Sequence, residues 1–196
     1  MRLNIDTKII GQNIILVPYK EHHVNKYHLW MKSEELQKLT ASDPLTLEEE
    51  YNMQKTWQED DDKCTFIILD KCTYSEGDNE IDSMIGDTNI FITDKDNMVG
   101  EIEIMIAEEV ARGKKRGWEA VILMMLYGIR NIKIKSYEAK IYIKNDISIN
   151  MFKKLGFKEK SRSEIFEEIT LVKLVDDDWV SNLEGHVKYE LQSYLL

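Results

Sequence analysis

The sequence has little cysteine, little proline and no long apolar run. Its 196 residues include two Cys and two Pro. Cys64 and Cys72 have no further Cys or His at metal-ligand spacing, so we predict two unpaired thiols, no disulfide framework and no metal site. The longest apolar run, residues 120–129, is much shorter than the roughly 18 residues that a membrane-spanning helix needs. The first residues lack the apolar core of a secretory signal, and the predicted location is therefore cytoplasmic.

Basic residues are the scarcer charged residues. The chain has 26 Lys and Arg against 36 Asp and Glu, which gives a net charge of −10. Nucleic acids and anionic membranes both require a basic surface, so we expect neither as a partner. A hydrophobic content of 43% is enough for one substantial core. We therefore predict a single domain over residues 1–175, followed by an extension, residues 176–196, to which the sequence assigns no role.

The order of predicted elements indicates an α/β (α+β) fold. Seven segments have the pattern of strands: residues 13–19, 64–69, 84–93, 99–107, 137–143, 157–161 and 164–175. Four segments are predicted helices: residues 22–31, 46–58, 117–129 and the segment that begins near 145. Pro18 favours an edge position for the first strand, and residues 71–82 are expected to form a polar hairpin loop. The expected fold is a mixed, mostly antiparallel sheet of six to seven strands with helices on both faces.

Four basic residues, Arg112, Lys114, Lys115 and Arg116, precede the most apolar predicted helix. A helix N-terminus carries partial positive charge, so cations there are locally unfavourable. The first amides of the helix lack intrahelical partners, and a phosphate group would satisfy both the amides and the cations. The segment is therefore either an anion site or an ordinary solvated basic loop.

Two motifs carry a family resemblance. Residues 112–117 are similar to the motif Gln/Arg-x-x-Gly-x-Gly/Ala, with Lys115 in place of the first motif glycine. Residues 145–157 are similar to Asn-x-x-Ser/Ala-x-x-x-aromatic-x-x-x-Gly-Phe, with Asn145, Ser148 and Phe152 in register. The chain thus resembles the GCN5-related N-acetyltransferases (GNAT family). Over positions 1 to about 175 it resembles in particular the N-acetyltransferase nine-like branch of that family.

The resemblance implies a pair of central strands that splay apart, with the pantetheine arm of acetyl-CoA, the co-substrate, in the opening. It implies main-chain contacts to pantetheine near Met105, Ile106 and Ala107. The residues implied to hold the diphosphate are Arg112, Gly113, Lys114, Lys115, Arg116, Gly117 and Trp118. Asn145 and Ser148 would contact the cofactor from the next helix, although Asn145 also fits a helix cap. Phe152 would pack against the cofactor or the core.

Acetyl transfer needs an acceptor for the amine proton. Glu101 and Glu103 share one face of a predicted strand, and either could accept the proton directly or through water, with Glu103 closer to the thioester. Alternating acids also occur on the solvent face of a strand. Asp87 is a weaker candidate, because its polar segment also fits hydrogen bonding at a strand edge. Phe152 has no proton for the leaving thiolate, so water or Tyr142 would have to supply one.

Three functions are compatible with these features. The first is transfer of acetyl from acetyl-CoA to the N-terminal α-amine of a protein; for this branch of the family tubulin is a suggested acceptor. An α-amine has a pKa near 8 and needs less help from a base than a lysine near 10.4. The second is acetylation of a small amine, which a deep and closed acidic pocket would favour. The third is a binding protein without catalysis, which Lys115 and Phe152 would favour.

Overall fold

One sheet of nine strands organises the chain. The structure is a computed structural model that describes residues 2–77 and 79–194. The strands are β1 (Thr7–Ile10), β2 (Ile14–Pro18), β3 (Lys63–Asp70), β4 (Met84–Asp94), β5 (Val99–Ile106), β6 (Ser136–Tyr142), β7 (Lys158–Ser163), β8 (Glu168–Leu174) and β9 (Glu190–Ser193). Their order is β7-β8-β6-β5-β4-β3-β2-β1-β9, and every neighbouring pair is antiparallel except β5 with β6. The mixed, mostly antiparallel sheet is confirmed, with two more strands, β1 and β9, than the sequence predicted.

Eight α-helices lie in the described parts of the chain. They are α1 (Val24–Trp30), α2 (Glu34–Thr40), α3 (Leu47–Glu59), α4 (Lys71–Gly77), α5 (Glu80–Ser83), α6 (Arg116–Tyr127), α7 (Asp146–Lys154) and α8 (Asp177–His186). Short 3-10 turns (Arg2–Asn4, Glu21–His23 and Glu109–Ala111) and one π-helical turn (Gly128–Ile132) complete the list. Among these helices none is both long and apolar enough to cross a membrane.

The predicted helices α1, α3, α6 and α7 are confirmed, and α3 shows why its start was readable. The Thr46 hydroxyl accepts from the amide of Glu49, and the Glu49 carboxylate accepts from the Thr46 amide at 2.8 Å, which is the capping box that the sequence indicated. The polar loop predicted for residues 71–82 is wrong, because α4 and α5 occupy it. Helix α4 has no buried residue and α5 has only four residues, so neither shows an apolar helical period.

The edge position predicted for β2 is also wrong. β2 lies between β1 and β3, and all five of its residues are buried. Pro18 is tolerated there because β1 pairs with Ile15 and Leu16, and within the described residues no strand pairing reaches the proline on that side. The sequence could not indicate this arrangement, since β1 has only four residues.

A separate hydrophobic core lies on each face of the sheet. Helices α6, α7 and α8 pack on one face, and residues Ala120–Tyr127 of α6 are all buried against strands that include β2, β4 and β5. The opposite face is covered by α1 and α2, through side chains such as Tyr27, Trp30 and Leu36. Residues 120–127 of α6 are apolar on every side because all of them are buried.

The chain after residue 175 packs against the same sheet. In α8, the Trp179 indole donates to the carbonyl of Leu155 at 2.7 Å. β9 then pairs with β1 in antiparallel register, with Thr7 opposite Ser193. The carboxy-terminal segment therefore extends the sheet by one strand beyond the amino-terminal one.

The strands β5 and β6 pair over a short stretch and then part. Their parallel register covers Val99 to Glu101 against Ser136 to Glu138, and no pairing beyond Glu101 is found between them in the described residues. β5 meanwhile stays paired with β4 as far as Ile106. The expected splayed pair is therefore confirmed, and it leaves an opening through the sheet.

Candidate active site

A cavity of about 250 Å³ occupies the opening between β5 and β6. Its walls come from both faces of the sheet, with Tyr27 of α1 and Trp57 of α3 on one side and α7 on the other, which is possible only where two strands separate. Several side chains predicted for the site line this cavity: Glu101, Glu103, Met105, Asn145, Ser148 and Phe152. Two segments that are distant in sequence, β5 and α7, therefore meet at one site.

Glu101 and Glu103 lie on the same face of β5, and each is next to a lysine. The Glu101 carboxylate accepts from Lys140 Nζ at 2.7 Å, and the Glu103 carboxylate accepts from Lys63 Nζ at 3.4 Å. Burial raises the pKa of Glu101, although the hydrogen bond from Lys140 works in the opposite direction. The Glu103 side chain is 43% exposed. Both carboxylates therefore lie at the wall of the cavity, each beside a lysine.

Asp87 is more deeply enclosed than either glutamate. It lies on β4, is 3% exposed and also lines the cavity. Its Oδ2 accepts from Asn89 Nδ2 at 2.7 Å, and the Asn89 oxygen in turn accepts from the Thr65 hydroxyl. For Oδ1 no hydrogen-bond donor is found among residues 2–77 and 79–194. Burial first, and the charge of Glu103 second, raise the pKa of Asp87 to about 7.

Asp87 is the weaker candidate by sequence, although its segment also carries a signal of burial. The polar triplet Asp87, Thr88 and Asn89 interrupts a strand that is buried from Met84 to Ile90. In an edge strand such residues would meet solvent. β4 is the fifth of nine strands in the sheet order, so its polar side chains had to be buried.

The basic loop before α6 has unused amides. No backbone hydrogen bond is donated by the amides of residues 113–118 to any described part of the chain. Gly113 and Lys115 have φ values of 73° and 62°, in the left-handed region, and Lys115 immediately precedes the helix. A Cβ on Gly117 would lie 3.3 Å from Ile106 Cγ1, so this glycine lets α6 pack closely on β5. These amides together form a possible anion site.

The four cations of this loop divide into two pairs. Arg112 bonds to Glu35 at 3.0 Å, and Arg116 bonds to Asp70 at 2.9 Å. The side chains of Lys114 and Lys115 are exposed, and within the described residues their ammonium groups have no hydrogen bond or ion pair. Two lysines and the free amides therefore remain for an anionic ligand, while the two arginines hold the loop to α2 and β3.

At the end of β5, some main-chain groups already have hydrogen-bond partners within the protein. The Ala107 amide donates to the Ile85 carbonyl at 2.9 Å, and the Ile106 carbonyl accepts from Arg112 Nε at 3.0 Å. Met105 contributes its side chain to the cavity. The pantetheine contacts predicted at these three residues therefore stay a prediction.

The remaining predicted residues lie on or beside α6 and α7. The Asn145 side chain accepts from the Ser148 amide at 3.1 Å and caps α7, so the helix-cap alternative is realised at the wall of the cavity. Phe152 is buried and packs edge-on against Phe157, with ring centres 5.0 Å apart. The Trp118 ring packs against His186 of α8, 5.6 Å away.

A second polar cluster lies outside the cavity and has a structural explanation. Glu80 accepts from His22 at 2.9 Å, from His23 at 2.6 Å and from the Tyr194 hydroxyl at 2.7 Å. The Lys20 amide donates to His23 Nδ1, so Nε2 of the neutral ring must carry the proton that Glu80 accepts. Burial lowers the pKa of His23 and keeps it neutral. His23 Nε2 therefore has no lone pair for a metal ion. The cluster instead binds the hydroxyl of Tyr194, the residue that follows β9.

Comparison with known proteins agrees with this geometry. The family model described as "Acetyltransferase (GNAT) domain" matches residues 13–158. The human alpha/beta-tubulin-N-acetyltransferase 9 is 49% identical, over 96% of this chain and 94% of its own length. The protein of the same name from Drosophila melanogaster is 48% identical, over 99% and 100%.

A solved structure shares the fold. Spermidine N-acetyltransferase from Vibrio cholerae, in complex with CoA and spermine, has a TM-score of 0.68 to this chain at 13% sequence identity. The match covers 83% of this chain and 95% of that one. At this identity the likeness concerns the fold alone.

Proposed function

The chain belongs to the acetyltransferase (GNAT) domain family, and from this premise we propose that it transfers acetyl from acetyl-CoA to the N-terminal α-amine of a polypeptide. Tubulin is the acceptor that we propose first, because two relatives that match nearly the whole chain at 48% and 49% identity carry that name. The observation that carries the proposal is the opening between β5 and β6, with carboxylates on its wall, together with the unused amides at the start of α6, which packs on the end of β5.

The residues of the loop fit the diphosphate of CoA. The unused amides of residues 113–118 would donate to its oxygens, and Lys114 and Lys115 would face its negative charge. Arg112 and Arg116 would act indirectly, since each is already bonded to a carboxylate of the protein. When bound, acetyl-CoA supplies the activated acyl group. Lys115 replaces a motif glycine but keeps the left-handed backbone that a glycine would adopt.

The cavity provides groups for the proton transfers. An α-amine with a pKa near 8 is partly neutral at physiological pH, and the carboxylates at the wall are the groups that could accept its proton. Glu103, partly exposed, is the carboxylate that we propose meets the amine, with Glu101 beside it. Tyr142 also lines the cavity and has a hydroxyl proton for the leaving thiolate.

A small cationic amine is the second candidate acceptor. Five acidic residues line the cavity, Asp87, Glu101, Glu103, Glu167 and Glu168, and negative charge attracts a polyamine. Three of them, Glu103, Glu101 and Glu167, are paired with Lys63, Lys140 and Lys144. We therefore place the polyamine after the polypeptide.

Mass spectrometry of acetylated products tests the proposal. Purified protein is incubated with acetyl-CoA and either tubulin heterodimer or peptides with the tubulin amino-terminal sequences, with the same peptides blocked at the α-amine as matched controls. We expect acetylation at the first residue and none on the blocked peptides. Acetylation only of lysine side chains, or preferential acetylation of spermidine added in parallel, would refute the N-terminal assignment.

A further inference from the structure

We propose that Asp87 holds the proton removed from the substrate amine, acting behind Glu103 as the second member of a carboxyl pair. This inference rests on the proposed function, since it specifies how that reaction loses its proton. Asp87 does not meet the amine directly, because only 3% of it is exposed, whereas the Glu103 side chain is 43% exposed. Asp87 is therefore a positioning residue for the proton, and Glu103 is the group that contacts substrate.

The strand register places the two carboxyl groups next to each other. Asn89 is directly opposite Glu103, and Asp87 is directly opposite Met105, so Asp87 and Glu103 are a diagonal pair on one face. Diagonal pairs in antiparallel sheets have Cβ atoms about 7 Å apart, within reach of a direct or water-mediated contact between long side chains. Both residues line the same cavity.

Hydrogen-bond partners distinguish Asp87 from the two glutamates. Lys140 lies 2.7 Å from Glu101, and Lys63 lies 3.4 Å from Glu103, and a neighbouring cation makes a carboxylate a weaker proton acceptor. Asp87 Oδ1 has no donor in the described chain, and Oδ2 has one, Asn89. An enclosed carboxylate oxygen without a donor gains most from binding a proton.

The surroundings of Asp87 also favour the protonated form. The titratable groups that interact with it are Tyr19, Tyr27, Lys63 and Glu103. Burial and the charge of Glu103 raise the pKa of Asp87 to about 7, while the Asn89 hydrogen bond and Lys63 act against them. An α-amine has a pKa near 8, so moving its proton to Asp87 is uphill by only about tenfold, compared with about ten-thousandfold for an ordinary carboxyl.

The reaction balances with this assignment. The substrate ammonium gives one proton, through Glu103, to the Asp87 carboxylate and becomes a neutral amine. The nitrogen lone pair forms a C–N bond with the acetyl carbon, and the C–S bond of the thioester breaks with its electron pair on sulfur. The second proton leaves the nitrogen and reaches the sulfur. The products are an amide, a thiol and protonated Asp87, which returns its proton to solvent before the next turnover.

The test compares Asp87→Asn with Asp96→Asn, which removes an exposed carboxyl from the β4–β5 turn. We measure kcat/KM for an α-amine peptide between about pH 6 and 9.5, together with acetyl-CoA affinity by calorimetry. We expect Asp87→Asn to lose about 100-fold near pH 7 and less than about tenfold near pH 9, where the amine is already neutral. Acetyl-CoA affinity should stay within about twofold in both variants, and Asp96→Asn should match the parent at every pH. Glu103→Gln should raise KM as well as lower kcat.

Two results would overturn the inference alone. One is a loss of equal size at every pH, which a purely structural role for Asp87 would produce. The other is unchanged activity of Asp87→Asn at neutral pH. A parent protein that binds acetyl-CoA but acetylates no peptide at any pH would instead refute the proposed function, and the role of Asp87 would fall with it.

Discussion

Glu119 and Asp87 are two buried carboxyl groups with opposite surroundings. Glu119, 4% exposed on α6, accepts from the amides of Gln12 and Asn13 at 2.5 and 3.1 Å and from Asn13 Nδ2 at 2.8 Å. It ties the β1–β2 turn to α6. The Asp87 carboxylate, by contrast, accepts from Asn89 alone within residues 2–77 and 79–194. A buried acid with a full set of donors stabilises the fold, whereas one with an unused oxygen is available for proton chemistry, at a cost in stability.

Replacing Glu119 by Ala should produce the largest effect on stability. The substitution leaves three N–H donors around the β1–β2 turn without their acceptor. We expect the free energy of unfolding to fall by about 3 kcal/mol, with Tm lower by roughly 10 °C. Urea denaturation measures the free energy of unfolding. The control Glu164→Ala, at an exposed position, should change that free energy by less than about 0.5 kcal/mol. A loss below about 1 kcal/mol for Glu119→Ala would mean that Glu119 does not stabilise the fold as its three donors indicate.

Asp87→Asn should change stability in the opposite direction. The pKa of this carboxyl is raised in the folded state, to about 7 from 3.8, so its protonated form favours folding. That contribution is fully present below about pH 4 and is lost as the pH rises to about 7. Above about pH 7.5 the amide should therefore stabilise the protein, on the order of 2 kcal/mol, and the difference should disappear near pH 4. Glu119→Gln, the matched control, should destabilise at both pH values.

In the basic loop before α6, too, some charged side chains have a partner within the protein and others do not. The Lys115 ammonium has no partner within the described chain, whereas the Arg116 guanidinium is bonded to Asp70. We expect Lys115→Glu to weaken acetyl-CoA binding about tenfold at low salt, and less at high salt, because it reverses a charge near the proposed diphosphate site. Calorimetric titration measures this, with Lys135→Glu as the control. Unchanged affinity would mean that this side chain is remote from phosphate.

The smallest expected effect comes from Lys115→Gly. Lys115 has φ 62°, a conformation that glycine adopts without steric cost. We expect stability to rise by about 0.5 kcal/mol and acetyl-CoA affinity to stay within about threefold, because the restored motif glycine offsets the loss of one cation near the proposed diphosphate site. Thermal unfolding and calorimetry check both, and a loss of affinity beyond about threefold would show that the lysine side chain itself binds the ligand.

Much of the site was readable from short segments. The alternation of Glu101 and Glu103 placed both on one face of β5, and the motif at residues 145–157 identified the helix that contributes Asn145, Ser148 and Phe152 to the cavity. These signals are local, because strand alternation and helix capping depend only on neighbouring residues. For Asp87 the local pattern gives only an indirect signal, a polar triplet within an apolar strand, because its burial depends on β4 lying in the middle of the sheet.

The sequence by itself determined the elements that have a clear period or cap, the basic loop before α6 and the family resemblance. Only the tertiary structure decided which charges are available. Arg112 is paired with Glu35 and Arg116 with Asp70, and Lys140 is paired with Glu101, through contacts that join distant parts of the chain. The pKa of a group depends on burial and on charges near it in space, and strand order, which short-range patterns do not specify, fixes both.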